Sequence, residues 1–423
     1  MVTILGAGIS GISAGYHLAL QGKEVIIFEQ NSSWGGLCDN FEIRDFRFDN
    51  AIHLSFTKNK YVKELFSKSC DFYTHKPISS SYYKGYWFKY PTQNNLYPLD
   101  LSEKIEVIKS FIFRKENKVQ VENYEQWLRR HYGDYFAENF PMKYTRKYWT
   151  VEAKELTTDW IEDRMYRSTI EEVLRGAMSE NTPNTYYADE MRYPEFGGYK
   201  SFLKYMAEKC NIRLNKKVVL INTRNKKIEF EDRSSEYYVY LISSLPLPEI
   251  VKIIKDVPKI VYEASEKLSW TSVALVSLGF KRPDIARYLW FYIYDEDILP
   301  ARAYSPNLKS PDNVPEGCSS LQFEVYFSKS KPLKVRGENL IECIIRKFSN
   351  IGLFDINDIV VSDYRELKYG NVIFDRNIYE NRKIIHNYLD SVGIKYIGRF
   401  GLWDYLWSDQ SLLTGINLEF QEG

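Results

Sequence analysis

The amino-terminal segment constrains the fold of this chain more than any other part of the sequence. A short apolar strand, Val2–Leu5, runs into the glycine-rich turn Gly6–Gly11 (GAGISG). A helical pattern follows as far as Leu20, and a second apolar strand, Glu24–Phe28, is closed by the acidic residue Glu29. A strand, a helix and a strand in so short a span predict two parallel strands joined by a crossover helix. A GxGxxG motif in this context, with an acid after the second strand, indicates a dinucleotide-binding site.

Each residue of the motif has a physical role in such a site. Gly6 allows the tight turn, Gly8 lets the backbone approach a pyrophosphate, and Gly11 lets the helix pack closely on the sheet. The helix amino terminus offers amide N–H groups and a positive dipole end to the phosphate, and Ser10 can add a hydroxyl donor. Glu29 is expected to accept hydrogen bonds from the hydroxyls of the adenosine ribose.

A second glycine pair indicates which dinucleotide binds. Gly35-Gly36-Leu37 begins six residues after Glu29, and such a pair lets the chain turn beside the ribityl and phosphate groups of a flavin. Large flavoproteins of the amine-oxidase type have this feature, and simple nicotinamide dehydrogenases usually lack it. This similarity predicts that the cofactor is FAD, with Gly35, Gly36 and Leu37 among the residues that bind it.

The composition argues against several other classes of protein. The 423 residues include 57 Lys and Arg against 56 Asp and Glu, so the net charge of +1 gives no electrostatic reason to expect nucleic acid as a partner. No apolar run approaches the roughly 18 residues of a membrane helix, and Met1–Leu5 already reads as a strand, so neither membrane insertion nor a secretory signal is expected. The five scattered cysteines form no CxxC motif, which argues against a metal site or a disulfide framework and favours the cytoplasm. Aromatic residues make up 16% of the chain, which we attribute mainly to core packing.

The hydrophobic periodicity predicts an α/β protein with a Rossmann-like FAD-binding domain, an inserted helical domain and a mixed or antiparallel β-sheet domain. The predicted segments are an FAD-binding part at 1–75, a mainly helical substrate or cap domain at 76–195, a β-rich return at 196–245, an antiparallel-sheet substrate domain at 246–385 and a C-terminal FAD-binding part at 386–423. The strand Val239–Ser244 is apolar enough to rejoin the first sheet, which makes the FAD-binding domain discontinuous. A helix is expected from Leu412 onward.

Further motifs along the chain form a recognisable series. They are YPTQNN at 90–95, KYW at 147–149 with WIEDR at 160–164, RYP at 192–194 with Gly197-Gly198, SSLPLP at 243–248, RAYSP at 302–306, Tyr369-Gly370, and GRFG at 398–401 with Trp403, Tyr405 and Asp409-Gln410. In order and spacing, these blocks resemble the UDP-galactopyranose mutases, and the eukaryotic-type branch more than the short bacterial one. The resemblance covers nearly the whole chain in scattered blocks.

The resemblance implies an activity. Members of this family bind FAD and work with the reduced flavin, whose N5 attacks the anomeric carbon of a nucleotide sugar and displaces the diphosphate. The flavin-bound sugar opens and recloses with a different ring size, so a pyranose becomes a furanose with no net redox change. The implied partner is a nucleotide sugar, UDP-linked by family default, that serves cell-surface polysaccharide synthesis. NAD(P)H is a candidate external reductant, and the identity of the sugar stays open.

The resemblance also assigns roles to individual residues. Arg164 and Arg302 match the two arginines that clamp the diphosphate, a role that suits guanidinium groups because they meet phosphate oxygens in a bidentate way. The substrate-binding side chains implied by the match are Tyr369 and Tyr405 at the phosphates, Tyr90 and Gln93 at the uracil, Trp149 in the wall of that pocket, and Asn184 as the substrate asparagine.

Three further residues are expected near the flavin. His53 lies where the family has a histidine close to the isoalloxazine, and an imidazole there can respond to the redox state of the flavin. Arg399 is expected to contact the FAD pyrophosphate. Gln410 lies in a segment that looks like a helix start, and a helix amino terminus facing the flavin would stabilise its anionic reduced form.

The chain departs from the family pattern at three positions. Asn50 and Ala51 stand just before His53, where the family usually has glycines. Thr145 stands four residues before Trp149, in place of an asparagine. The first two departures affect the loop that approaches the flavin, and the third affects a contact to the base or the sugar.

Two other hypotheses share part of this pattern. An FAD-dependent oxidase or desaturase of the amine-oxidase or protoporphyrinogen-oxidase type would have the same amino-terminal motifs. The paired arginines and the carboxy-terminal tyrosines argue against it, because an apolar substrate has no use for them. A non-catalytic nucleotide-binding protein is the third hypothesis.

Overall fold

The chain contains both helices and strands throughout its length. A computed structural model describes residues 1–114, 121–161, 164–183, 185 and 188–418. The strands are β1 Val2–Leu5, β2 Val25–Phe28, β3 Asn40–Ile43, β4 Phe46–Asp49, β5 Phe72–His75, β6 Ser79–Tyr83, β7 Tyr86–Lys89, β8 Met191–Pro194, β9 Ile212–Arg213, β10 Val218–Asn222, β11 Lys227–Phe230, β12 Ser235–Tyr237, β13 Tyr240–Ser243, β14 Trp270–Phe280, β15 Trp290–Ile293, β16 Arg302–Tyr304, β17 Ser319–Phe327, β18 Ile359–Val372 and β19 Ile394–Tyr396. The helices are α1 Ile9–Leu20, α2 Lys60–Ser69, α3 Leu101–Ile112, α4 Tyr124–Tyr132, α5 Asp134–Asn139, α6 Pro141–Tyr148, α7 Ile170–Met178, α8 Lys204–Ala207, α9 Leu247–Ile253, α10 Lys259–Lys267, α11 Pro306–Lys309, α12 Gly337–Asn350, α13 Ile378–Ser391, α14 Gly398–Gly401 and α15 Ser408–Leu413.

The first sheet is parallel and has the strand order β19-β13-β1-β2-β9. Every residue of β1 is buried, as expected of a central parallel strand with both faces covered. β13 pairs in parallel with β1, from Val2 opposite Tyr240 to Leu5 opposite Ser243. The prediction that a strand from the middle of the chain rejoins the first sheet is therefore confirmed, and so is the Rossmann-like architecture.

The second large sheet is mixed and has the order β18-β14-β17-β16-β15-β6-β7. Its long strand β14 is apolar and almost wholly buried, and it pairs antiparallel with both β17 and β18. β18 lies at the edge and exposes many polar side chains, which discourages pairing with another chain. β15 pairs in parallel with β6, and the other pairings are antiparallel. The predicted mixed or antiparallel sheet domain is confirmed.

The segment predicted as a mainly helical cap, 76–195, contains α3 to α7, and several of these helices have side-chain caps. Asp100, Asn123 and Thr169 each accept a hydrogen bond from a backbone N–H of the first turn. The segment also differs from the prediction, because it opens with β6 and β7, which join the large sheet. The turn Lys84-Gly85 has positive φ at both residues, as a tight hairpin requires, and this local signal outweighs the helical pattern that follows.

The carboxy-terminal region corrects two sequence expectations. The predicted boundary at 385/386 falls inside α13, which packs against α10 and β19. The helix expected from Leu412 onward begins earlier and nearly ends there, since α15 spans Ser408–Leu413. Gly415 explains the early end: a Cβ at this position would lie 2.6 Å from the amide nitrogen of Ala14 in α1, so the chain turns against that helix.

In the described part of the chain, no helix has both the length and the apolar character needed to cross a bilayer.

Candidate functional site

The turn between β1 and α1 is built by close backbone contacts. Gly6 has a φ of +94°, a conformation that favours glycine, and its amide donates to the carbonyl of Phe28 at 2.8 Å. A Cβ on Gly11 would lie only 1.9 Å from the carbonyl oxygen of Gly6. The backbone conformation and packing of the turn therefore require glycine at these two positions, whether or not a ligand is bound.

Gly8 differs, because a Cβ there would meet no protein atom within 4 Å. The second glycine pair runs alongside it. The amide of Gly35 donates to the carbonyl of Ala7 at 2.8 Å, and a Cβ on Gly36 would come within 3.1 Å of the Cα of Gly8. The two glycine segments thus form a narrow backbone cradle at the amino terminus of α1. An open position beside the first helical amides fits the pyrophosphate of a dinucleotide. We call this region the glycine cradle: Gly6, Gly8, Gly11, Gly35 and Gly36.

Three predicted cofactor-binding side chains have identified partners around the cradle. Glu29 accepts from the amides of Ala7 and Asn31 at 2.8 and 2.9 Å, and a carboxylate so held keeps lone pairs for ribose hydroxyls. The Ser10 hydroxyl donates to the carbonyl of Ser411 at 2.9 Å, which ties α15 to α1. Gln410 accepts from the amide of Trp407 at 2.9 Å and so caps α15. For these two residues the structure identifies a structural contact, and direct contact with the cofactor stays a prediction.

A large cavity lies among the sheet β14-β17-β16, the helix α6, the loop after β4 and the segment around α14 and α15. Its empty volume is about 1770 Å³, part of it open to solvent. Nine of the residues predicted from the sequence line this one cavity: Leu37, His53, Tyr90, Trp149, Arg164, Arg302, Tyr369, Arg399 and Tyr405. The three departures from the family pattern, Asn50, Ala51 and Thr145, line it as well.

Of the predicted substrate residues, Gln93 does not line this cavity, and Asn184 cannot be placed. Gln93 is buried, and its amide donates to the carbonyl of Tyr166 at 3.3 Å. It is not among the described residues that line the cavity. Asn184 lies outside the described residues. Their assignment to the substrate remains a prediction.

Arg164, Arg302 and Arg399 are linked through two tyrosines. The guanidinium carbons of Arg164 and Arg399 lie 4.9 and 4.8 Å from the ring centre of Tyr405. The Tyr405 hydroxyl is 3.2 Å from that of Tyr148, and the guanidinium of Arg302 lies 5.4 Å from the Tyr148 ring centre. Three permanent positive charges therefore surround one pair of aromatic rings. Such a group is suited to an anion that carries several oxygens.

Arg302 is held by a buried acid that the sequence analysis missed. In the paired strands β16 and β17, Arg302 stands opposite Glu324, whose side chain is fully buried. The Glu324 carboxylate accepts from the Nε of Arg302, from the hydroxyl of Tyr326 at 2.5 Å and from the amide of Ile52 at 2.9 Å. Burial of this acid is possible because all these donors converge on it. A single acid in the strand SSLQFEVYF was the signal available in the sequence.

Arg164 is held by backbone carbonyls. Its guanidinium donates to the carbonyl of Tyr405 at 2.7 Å and to that of Trp160 at 3.1 Å, and it lies 4.7 Å from the ring centre of Trp407. The carboxy-terminal segment and the helical layer are thus joined through this one side chain.

His53 lines the cavity in its neutral form. The pKa of His53 is lowered to about 4, mainly because burial removes solvent from the ring; the carboxylate of Asp49 opposes this shift and the ammonium of Lys309 adds to it. Its ring lies 5.0 Å from that of Tyr199. Ala51, two residues earlier, has a φ of +70°, a left-handed conformation that an alanine adopts only with strain. The family's glycines at this place would avoid that strain, so the departure has a physical consequence.

A fully buried ion pair anchors the strand that leads to His53. Asp49 and Lys309 are 2.6 Å apart with no exposed side-chain area. Asp49 also accepts from the hydroxyl of Tyr193 at 2.8 Å and from the amide of Tyr199 at 3.1 Å. These contacts join β4, β8 and α11 and fix where the His53 loop starts. Sequence reasoning did not identify this pair, because its members are far apart in the chain.

Tyr369 lines the cavity, but its hydroxyl is engaged at the carboxylate of Glu249, 2.6 Å away. Burial and this carboxylate raise the pKa of Tyr369 well above its ordinary value. Tyrosines are in fact the commonest residue of the wall, with nine of the described ones present: Tyr90, Tyr124, Tyr144, Tyr148, Tyr292, Tyr294, Tyr326, Tyr369 and Tyr405. Core packing is therefore only part of the reason for the high aromatic content.

The amino-terminal region matches a family model described as an NAD(P)-binding Rossmann-like domain over residues 4–69. Among curated proteins, an inactive all-trans-retinol 13,14-reductase of Danio rerio is 44% identical over 68 residues, which is 16% of this chain and 10% of the relative. A hydroxysqualene dehydroxylase of Sinorhizobium fredii is 39% identical over 64 residues, 15% of each chain. The chain spans only a small part of the length of these curated relatives.

Solved structures are similar over nearly the whole chain. A crystal structure of reduced UDP-galactopyranose mutase matches with a TM-score of 0.91 and 25% identity, covering 98% of this chain and 92% of that one. A protein of Exiguobacterium sp. 255-15 assigned as a protoporphyrinogen oxidase matches with a TM-score of 0.75 and 14% identity, covering 98% and 96%. The resemblance to the mutases is confirmed in three dimensions, and the chain has a fold of flavin-dependent enzymes.

Proposed function

We propose that this chain is a flavin-dependent isomerase that converts a UDP-linked pyranose, by default galactopyranose, into the furanose. The observation that supports the proposal most is the meeting of Arg164, Arg302 and Arg399 around the rings of Tyr148 and Tyr405 in a cavity that Leu37, next to the glycine cradle, also lines. The cavity contains cationic and aromatic side chains. A nucleotide sugar carries a diphosphate that can bind the cations and a flat base that can stack on the aromatic rings.

The arginines stabilise the charge that develops when the bond between C1 of the sugar and the diphosphate breaks. Negative charge grows on the phosphate oxygens in that step, and guanidinium groups already in place need no reorganisation to meet it. Arg302 is held rigidly by Glu324, and Arg164 by two backbone carbonyls. Fixed cations stabilise the transition state more than the bound substrate, which is what accelerates a reaction.

The glycine cradle would hold FAD, and Glu29 would bind its adenosine ribose. When bound and reduced, FAD would supply a nucleophile for the anomeric carbon. His53, uncharged at neutral pH because of its lowered pKa, presents an imidazole with a lone pair or an N–H to this region without adding a third charge to the diphosphate clamp of Arg164 and Arg302. The aromatic wall, with Tyr90 and Trp149, excludes water from the reacting carbon and stacks on the base.

The alternative function is an oxidase or desaturase that removes a hydride from an apolar substrate. The curated relatives are mostly redox enzymes, but the two matches described above cover only 16% and 15% of this chain. The family model of a dinucleotide-binding domain covers residues 4–69. That part builds the glycine cradle and not the arginine-lined wall. Three guanidinium groups in one cavity are unfavourable for an apolar substrate, since its binding would remove solvent from these groups and offer them no new acceptor.

A turnover assay decides between the two functions. Purified flavin-loaded protein is incubated with UDP-galactopyranose, once oxidised and once reduced by dithionite or NAD(P)H, and the products are separated by chromatography while oxygen uptake is recorded. The mutase predicts UDP-galactofuranose from the reduced protein alone, with no stoichiometric oxygen use. Oxidation of an amine or a porphyrinogen with matching peroxide release, and no furanose, would refute the proposal.

A further inference from the structure

The cavity wall that carries Tyr369 holds a second polar side chain, Asn371, to which no sequence motif pointed. Asn371 is 4% exposed and lies near the end of β18, among the residues that line the cavity. Its backbone amide donates to the hydroxyl of Thr271 in the neighbouring strand at 3.0 Å, which fixes the main chain at this point.

The strands β14 and β18 lose their regular register next to Asn371. Thr271 pairs with Asn371 and Val273 pairs with Leu367, so one residue of β14 stands opposite three residues of β18. A bulge of this kind bends the strand and re-aims side chains, and bulges are frequent beside active sites. Here Tyr369 lies inside the bulge and Asn371 lies just beyond it.

The two side chains have different partners. The hydroxyl of Tyr369 donates to Glu249 at 2.6 Å. The amide oxygen of Asn371 accepts from Nη2 of Arg399 at 2.6 Å and from the hydroxyl of Tyr148 at 3.3 Å. Because a guanidinium can only donate, the amide oxygen has to face Arg399, and the two N–H groups of Nδ2 must point elsewhere.

Two buried donors meet at this point of the wall. Among the residues that the structure describes, Nδ2 of Asn371 and Nε of Arg399 have no hydrogen-bond partner. Buried donors in native proteins nearly always have an acceptor, so an adjacent pair without one indicates an acceptor that a ligand brings. The positive charge of Arg399 favours an acceptor that is negatively charged.

We propose that Nδ2 of Asn371 donates a hydrogen bond to a phosphate oxygen of the bound nucleotide diphosphate, and that Asn371, not Tyr369, makes the polar contact to substrate at this wall. The inference rests on the proposed function. It agrees with the position of Tyr148, which bonds to the amide oxygen of Asn371 and whose ring centre lies 5.4 Å from the guanidinium of Arg302. The amide thus belongs to the same cluster as the diphosphate clamp.

The test is equilibrium binding of UDP and of uridine to the flavin-loaded protein by calorimetry. Asn371→Ala should weaken UDP binding by about tenfold, as expected for one lost hydrogen bond to a charged group, and leave uridine binding unchanged. Asn371→Asp keeps an oxygen for Arg399 and Tyr148, so the fold is maintained even if the alanine variant fails to fold. It should weaken UDP binding by more than the alanine change does, because a carboxylate replaces the donor.

Asn381→Ala is the matched control. Asn381 is similarly buried, and its amide donates to the carbonyl of Asn377, the residue that precedes α13; neither residue lines the cavity. Its UDP affinity should equal that of the unmodified protein. Tyr369→Phe should weaken UDP binding by less than Asn371→Ala.

Several results would overturn the inference. Unchanged UDP binding in both Asn371 variants would show that no contact exists, and an equal loss for UDP and uridine would indicate a structural role. FAD lost on purification of Asn371→Asp would assign the contact to the cofactor phosphates, and a larger effect of Tyr369→Phe would return the role to that tyrosine. If the unmodified flavin-loaded protein did not bind UDP at all, the proposed function itself would fail, and this inference with it.

Discussion

The glycine cradle and the arginine-lined cavity are built in opposite ways. The cradle is made of backbone from two short, neighbouring segments, and its shape follows from where a Cβ is sterically impossible. The cavity is made of side chains from many distant segments, held by cross-strand register and by buried acids. The first region lies within the residues that match an NAD(P)-binding Rossmann-like domain, whereas the second gathers three guanidinium groups around two tyrosines.

Because of this difference, the class of cofactor and the type of reaction have to be inferred from different parts of the molecule. A contiguous motif is enough to indicate the class of cofactor, because backbone geometry depends on local sequence. The reaction depends on which scattered side chains converge, and the same cradle can serve hydride transfer or isomerisation.

The largest effect is expected inside the cradle, where two glycines should respond differently. Gly11→Ala places a Cβ 1.9 Å from the carbonyl of Gly6, so the β1–α1 turn cannot close and we expect little folded protein. Gly8→Ala meets no protein atom within 4 Å, so the protein should fold with a Tm close to the original and bind FAD poorly. Circular dichroism and flavin absorbance after purification check both outcomes. Full FAD occupancy in Gly8→Ala would show that the pyrophosphate lies elsewhere.

In the cavity, Arg302→Met should separate stability from activity. The change leaves the carboxylate of Glu324 buried without its cation, which we expect to lower the free energy of unfolding by about 3 kcal/mol. The value of kcat/KM for the nucleotide sugar should fall by about 100-fold or more, while FAD stays bound. Adding Glu324→Gln should restore most of the stability and none of the activity. Denaturant titration and steady-state kinetics measure the two quantities.

Arg336→Met serves as the control for this experiment. Arg336 pairs with Glu366 on the same large sheet, but its side chain is half exposed, so its loss should cost about 0.5 kcal/mol or less. Loss of FAD from Arg302→Met would show that Arg302 belongs to the cofactor site and not to the substrate site.

The sequence predicted the cradle almost completely and the cavity only in part. The two glycine motifs and Glu29 stand within the first 36 residues, so their geometry could be derived locally. Arg164 and Arg302 were identified through the resemblance to a family. That both line the same cavity depends on the three-dimensional fold, which the spacing of residues in the sequence does not predict. Glu324 and Asn371 were missed, since one is identified by cross-strand register and the other by a bulge in β18. These are long-range features of strand pairing, which local patterns do not encode.

The lowered pKa of His53 should make the stability of the folded protein depend on pH. Its pKa of about 4 in the folded protein lies below its ordinary value of 6.5, so the unfolded chain binds more protons between these two pH values. Stability should therefore fall as the pH is lowered from about 6.5 to 4, by about 2 kcal/mol from this residue. In His53→Gln this contribution should be absent, so its stability should fall less steeply. Thermal unfolding of both proteins across that range measures the difference, and parallel curves would contradict the assignment.

The smallest effect is expected at Ala51. Replacing it with glycine relieves the left-handed strain at a φ of +70°, and we expect a gain of about 0.5–1 kcal/mol after the cost of a freer unfolded chain. Chemical denaturation measures this gain. Ala7→Gly is a suitable contrast, because Ala7 has no positive φ and should lose stability on the same change. A loss of stability in Ala51→Gly would mean that the loop is held in a different conformation.

Positional isotope exchange shows whether the arginine cluster holds a diphosphate while the bond to the sugar breaks. UDP-galactopyranose carrying oxygen-18 between C1 and the β-phosphorus is incubated with flavin-loaded protein. With reduced flavin, we expect the label to move to the non-bridging oxygens of the β-phosphate in the recovered substrate. The same preparation with oxidised flavin, and Arg302→Met with reduced flavin, should show no exchange. If the reduced, flavin-loaded protein bound UDP-galactopyranose and left the label in place, the proposed cleavage of the bond between the sugar and the diphosphate would be wrong.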